Sequence, residues 1–196
     1  GKYRQLIAPK LTPERDISLF ELEGKYARAD NITSLKRWLV KFNGDLDISK
    51  KTHLSAQFYR VSDKKYFAEI DRTNTNLATL QSFLKLTYAD EENNLSTGIL
   101  TEDEQVVNAG TPGYTRALEG SVSKTLNADT KMPISLSLVS TKFSHATPTK
   151  DSGLRTHGNL GVSRVLNIDY PKITPKASLA ITNYSLKNSP NINRTV

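Results

Sequence analysis

The residues able to do chemistry are few. His53, His145 and His157 are the only imidazoles, and cysteine is absent. No H-E-x-x-H or comparable spacing joins a histidine to carboxylates, so neither a metal centre nor a cofactor is expected. Without cysteine there is no disulfide framework, thiolate ligand or thiol nucleophile. Asp45 and Asp47, two apart, would share one face of a strand, as paired carboxylates in acid–base chemistry can. Nearby Lys41 and the lack of an accompanying nucleophile and oxyanion donors read instead as a charged surface or lumen. Glu102, Asp103 and Glu104 form an acidic run that could attract a cation but also reads as solvated charge. There is no phosphate-cradling glycine loop and no G-x-S-x-G elbow. Thr111, Pro112 and Gly113 make a turn, and the N-x-S/T triplets at Asn31, Asn94, Asn183 and Asn193 would matter only in a glycosylating host. The chain is not expected to be an enzyme.

What must position these side chains is a set of strands. Alternation with period two puts every second residue on one face. In residues 38–48, Trp38, Val40, Phe42, Leu46 and Ile48 share a face with Gly44, opposite Lys41, Asn43, Asp45, Asp47 and also Leu39. The pattern recurs in 17–28, 53–62, 77–89, 94–102, 114–126, 134–144, 158–168 and 176–187. Nine strands result, with no convincing helix between them. One residue breaks the pattern in 77–89: Phe83 falls among the polar side chains.

The links carry the topology. SKKT at 49–52 and DEEN at 90–93 are compact polar turns, and the links at 127–133 and 169–175 end on Pro133 and Pro175, where proline can open a strand. Between them lie longer links at 29–37, 63–76, 103–113 and 145–157. Short and long links therefore alternate, as in an antiparallel up-and-down meander with its turns at one end and its loops at the other. Residues 64–73 could form a further strand and are read here as the extension of a protruding hairpin. Residues 1–16 form a lead segment, 17–187 the meander and 188–196 a terminal loop or tail.

Alternation does not separate a soluble barrel from a membrane barrel, because the two turn their apolar faces in opposite directions. The exceptions discriminate better. Arg60, Arg116, Lys124, Lys142 and Arg164 are single basic residues on the apolar face, each near a strand end. There a long side chain reaches the head groups while its stem stays in lipid; in a soluble barrel the same residues would line a cavity mouth. With Trp38 they are the candidate membrane-interface residues. Tyr26, Tyr88, Tyr114 and Phe42 complete a thin aromatic girdle. The polar face offers Lys41, Asp45, Asp47, Gln57, Gln81, Lys85 and Glu119 as candidate lumen-lining residues, beside Thr125.

The 196 residues fit one domain, and the formal charge of +7 favours an anionic neighbour such as lipid head groups, polysaccharide or nucleic acid. The charges are scattered rather than blocked, which argues against nucleic acid. No run approaches the roughly 20 apolar residues of a membrane helix, so any span is made of strands. No signal peptide is legible in the first residues, GKYRQLIAPKLTPERD.

In this architecture, over residues 17–187, the chain resembles bacterial outer-membrane β-barrels, including porins and exopolysaccharide-export barrels. The resemblance implies an all-β transmembrane barrel, complete or partial. It also implies an outer-membrane location, a lipid bilayer as partner and passage of small polar solutes or polysaccharide through a polar lumen. The chain departs from that class in ending on NSPNINRTV rather than an aromatic residue, and in an odd strand number. The alternatives are a secreted soluble binding module, calycin-like or lectin-like, and more remotely a viral coat subunit.

Overall fold

All nine alternating segments are strands, and two more join them. The computed structural model describes residues 2–7, 19–27, 36–72, 76–166, 173–190 and 192–195. In chain order the strands are β1 (Lys2–Ile7), β2 (Leu19–Ala27), β3 (Arg37–Ser49), β4 (Thr52–Val61), β5 (Thr79–Asp90) and β6 (Leu95–Val106). They continue as β7 (Tyr114–Leu126), β8 (Ile134–His145), β9 (Gly153–Ser163), β10 (Lys176–Leu186) and β11 (Ile192–Thr195). All lie in one sheet in sequence order, each antiparallel to the next, so the expected meander is the fold. Among the described residues the end strands β1 and β11 hydrogen-bond only to β2 and β10, so the sheet they form is open. They fall within the expected lead segment and tail, where short stretches pair through their backbones.

Direct cross-strand partners share a face, so the register fixes which side chains stand together. Tyr26 faces Trp38; Leu22, Phe42 and Phe58 form one row, and Leu54 and Leu86 another. Leu86 continues to Ile99, Val122 pairs with Leu138, and Leu136 continues through Leu160 to Leu179. One apolar face thus runs from β2 to β10. Gly44 keeps this face flat beneath the stacked rings of Phe20 and Phe42, whose centroids are 6.1 Å apart. A Cβ at Gly44 would stand 2.8 Å from Phe42 Cζ.

Three expectations are corrected. The strand expected at 158–168 begins and ends five residues earlier, as β9, because Leu154, Thr156 and Gly158 must partner Lys142, Ser140 and Leu138 of β8. The link before it contracts to 146–152 and the one after it lengthens to 164–175, which weakens the alternation of short and long links there. Of the expected extension at 64–73, residue 73 lies outside the described residues, and 64–72 neither form a strand nor protrude. They hold a single π-helical turn, Phe67–Asp71, closed where the Arg72 N–H donates to the Phe67 carbonyl at 2.7 Å.

The small core sits beneath that turn. Leu39, Val61, Tyr66, Phe67, Leu80 and Val107 are buried together, with Tyr59 and Ile70 packed against them. Leu39, Tyr59 and Val61 belong to the polar face, so the link after β4 folds back over that face. The Phe67 ring meets Tyr59 and Tyr66 edge-on. The link after β6 completes the cover. There the Asn108 N–H donates to the Lys64 carbonyl at 2.7 Å, and the Val107 N–H to that of Ala78 at 2.9 Å.

Candidate functional site

The two faces of the sheet are the site. All seven candidate lumen residues stand on the polar face. Lys41 lies between Glu23 and Tyr59, Gln57 between Asn43 and Phe83, and Lys85 between Ser55 and Leu100. Gln81 faces Glu104. Glu119 lies between Leu100 and Thr141, and the Thr141 hydroxyl donates to it at 2.8 Å. Asp45 and Asp47 are brought together on either side of His53, whose ring nitrogens lie 3.4 and 2.7 Å from them. No set of three or more histidine and acidic residues forms a metal-holding group among the described residues.

A second set, which the sequence reading passed over, ties the folded-back link to this face. Arg37 donates to Asp63 at 2.8 Å and to Glu69 at 2.6 Å, and its side chain is only 3% exposed. β4 pairs with β5 only from Thr52 to Gln57; beyond that the strands diverge and side chains replace the missing ladder. The Tyr59 N–H donates to Ser82 Oγ at 3.1 Å. The Val61 N–H donates to Gln105 Oε1 at 3.0 Å, and Gln105 Nε2 returns a bond to the Val61 carbonyl at 2.8 Å. The signal in the sequence was the cluster of apolar residues, Leu39, Tyr59 and Val61, at one end of an otherwise polar face.

The candidate interface residues divide. Trp38 and Tyr26 stand side by side, exposed, at the end of the sheet where the folded-back link lies. Lys142 is on the apolar face between Leu118 and Leu154 near the same end, and Lys124 between Leu95 and Leu136 near the other. Arg60 is opposite Val40 and forms an ion pair with Asp103 of β6. Arg164 follows the last residue of β9, exposed, its N–H bonded to the Pro175 carbonyl.

Arg116 is corrected. The β7–β8 register slips between Arg116 and Leu118, leaving Ala117 as an extra residue. The slip pairs Arg116 with Phe143 and turns it to the polar face. There Nε donates to Glu102 at 2.9 Å and Nη1 to Glu119 at 3.2 Å. Tyr114, read as part of the aromatic girdle, turns with it and meets the rings of Phe143 and His145. Glu102 is therefore a partner of Arg116 rather than part of an isolated acidic loop.

At the opposite end, Lys51 in the turn between β3 and β4 reaches Asp90 at 2.8 Å. That hydrogen bond holds the Lys51 ammonium above its ordinary pKa, against a smaller opposing effect of desolvation. Asp90 also accepts from Asn93 Nδ2 at 2.8 Å, so one carboxylate closes its own turn and clasps the neighbouring one.

The apolar face, apart from the Arg60–Asp103 pair, is a field of exposed aliphatic and aromatic side chains. Leu22, Phe58, Leu84, Ile99, Leu118, Leu138, Leu160 and Ile181 along it are all exposed. No second sheet covers them among the described residues. No helix is long and apolar enough to cross a membrane, a statement that does not bear on strands. Contiguous apolar patches are rare on water-soluble monomers.

Comparison with curated proteins returns no match for the chain. Comparison with protein families matches residues 35–195, from the start of β3 through β11, to the family described as LptD, LPS transport system D. The outer-membrane class expected from architecture is right, while the family is neither a porin nor an exopolysaccharide-export barrel. The chain belongs to the LptD family, an outer-membrane component of lipopolysaccharide transport in bacteria.

Proposed function

We propose that this sheet is a stretch of transmembrane barrel wall, its apolar face against lipid and its polar face lining a hydrated passage for the saccharide part of lipopolysaccharide. The observation that supports this most is the uncovered apolar face. In a soluble sandwich a second sheet would bury it, and all described strands lie in one. Strands β2 to β10, 9 to 13 residues long, match the roughly 9–11 residues a tilted strand needs to span a bilayer. Lys124 and Lys142 near opposite strand ends, with Trp38 and Tyr26 at one of them, suit head-group contact.

The work done is transport by shape and electrostatics, with no bond made or broken. The link folded over the polar face by Arg37 and Phe67 would narrow the passage near one end. The test is lipid contact at individual strand positions. Brominated or spin-labelled lipid should quench a probe placed at Val40 or Leu138 and leave one at Asn43 or Ser137 unaffected. Equal quenching on both faces, or extraction of the protein into buffer without detergent, would remove the proposal.

A further inference from the structure

We infer that the polar face carries a built subsite for an acidic sugar, centred on Phe83, Lys85 and Gly98; this rests on the reading of that face as the lining of a saccharide passage. Phe83 is the aromatic ring that breaks the alternation of β5 and stands among polar side chains. It borders a concavity of about 470 Å³ that also involves Lys85, Gly98, Leu100, Arg116 and Glu119. That volume lies within the range of about 300–1,000 Å³ usual for small-molecule sites.

Gly98 makes the hollow. It lies between Thr87 and Ser121 in the ladder, and a Cβ there would come within 3.2 Å of Ser121 Oγ. Its bare backbone leaves a dent with the Ser121 hydroxyl on one side and the Thr87 methyl on the other. Phe83 and Leu100 give the dent an apolar border, the kind of surface on which the C–H face of a pyranose rests. Ser96 and Ser121 offer hydroxyls for the sugar's own.

The charges select the substituent. Arg116 is engaged by two carboxylates, Glu102 and Glu119, which together outweigh its charge and leave it unavailable to an anion. Lys85 is exposed and has no ion-pair partner among the described residues. It is thus the cation at this concavity left to meet an anionic group on the sugar, either a carboxylate or a phosphate, as a strong charge-assisted hydrogen bond.

The test uses the full protein folded in detergent micelles and titrated with glucose, glucuronate and glucose 6-phosphate, with binding followed by ligand-observed NMR. At least one charged sugar should bind more tightly than glucose. Preference for glucuronate assigns a carboxylate to Lys85, and preference for glucose 6-phosphate assigns a phosphate. Lys85→Gln should weaken the preferred charged sugar about three- to fivefold, the value of one exposed ion pair, and leave glucose unchanged. Phe83→Leu should weaken all three sugars, whereas Lys150→Gln, exposed in the 146–152 link outside the lumen candidates, should change none. Charged and neutral sugars binding alike, or equal losses from Lys85→Gln and Lys150→Gln, would overturn the subsite. Insertion of each variant into bilayers is measured in parallel. Normal insertion without sugar selectivity sinks the subsite alone, whereas a wild-type protein that stays in buffer sinks the wall reading itself.

Discussion

The Arg37 guanidinium, at the first residue of β3, donates to the Glu69 carboxylate at 2.6 Å in the link that follows β4. One buried cation thus anchors a segment that would otherwise project from the sheet end. Asp63 takes a second bond from it, and the Phe67 side chain is fully buried beneath the same turn. Replacing Arg37 with Met keeps the stem and removes both ion pairs. The cost should be about 3 kcal/mol, the low end for breaking a buried pair, because both carboxylates keep some water. Denaturant unfolding reads the loss, and limited proteolysis should find new cleavage within 62–78 while cutting at 91–94 is unchanged.

The apolar face gives the second prediction. Val40→Arg or Leu138→Arg should reduce folding into bilayers by about 2–4 kcal/mol if the position is near the midplane, where a cation is most costly. Asn43→Lys and Ser137→Lys, each on the other face of the same strands, should be nearly neutral. Refolding yield across a urea series into vesicles separates the two pairs, and similar losses on both faces would contradict lipid contact.

The bulge in β7 gives the third. Deleting Ala117 restores simple alternation and drives Arg116 and Tyr114 onto the apolar face, away from Glu102, Glu119 and Phe143. Folding yield should fall sharply, whereas deleting a residue of the 146–152 link should be tolerated. A double-mutant cycle of Arg116→Ala with Glu102→Ala should return a coupling of about 1 kcal/mol, since the pair is partly exposed. A coupling of zero would mean that the bulge, and not the ion pair, is what fixes Arg116.

Strand existence was legible because alternation is a local property that the sheet inherits directly. Trp38, Val40, Phe42 and Leu46 stand together in the fold as they do in the sequence. What was not legible depends on partners. The extent of β9 is set by the length of β8, and its first residues hide their alternation because Thr156 takes an apolar-face position. The turn of Arg116 comes from one inserted residue that no period reveals, although Arg116 and Glu119, three apart, hint at it. The core escaped because its halves are far apart in sequence. Leu39 and Phe83 were visible as exceptions on the polar face, and each marks a place where something packs or is hollowed.

The orientation of the sheet is the last prediction, and β8 offers the cleanest measurement. Ala128 lies in the 127–133 link before it and Thr149 in the 146–152 link after it, so the two stand at opposite ends of one strand of 12 residues. At about 3.3 Å per residue the ends are roughly 40 Å apart, enough to place them on opposite sides of a bilayer. The links at the Ala128 end include the two- and four-residue turns at 50–51 and 91–94, and the other end carries the 62–78 link. Short turns face the periplasm and longer loops the exterior in barrels of this class. On intact cells an impermeant maleimide should therefore label Thr149→Cys and spare Ala128→Cys, with both reacting after permeabilisation. The native chain has no cysteine, so any signal comes from the introduced thiol. Labelling of Ala128→Cys alone would invert the orientation and leave the wall intact, whereas equal labelling of both on sealed cells would mean that no bilayer lies between the two ends of β8.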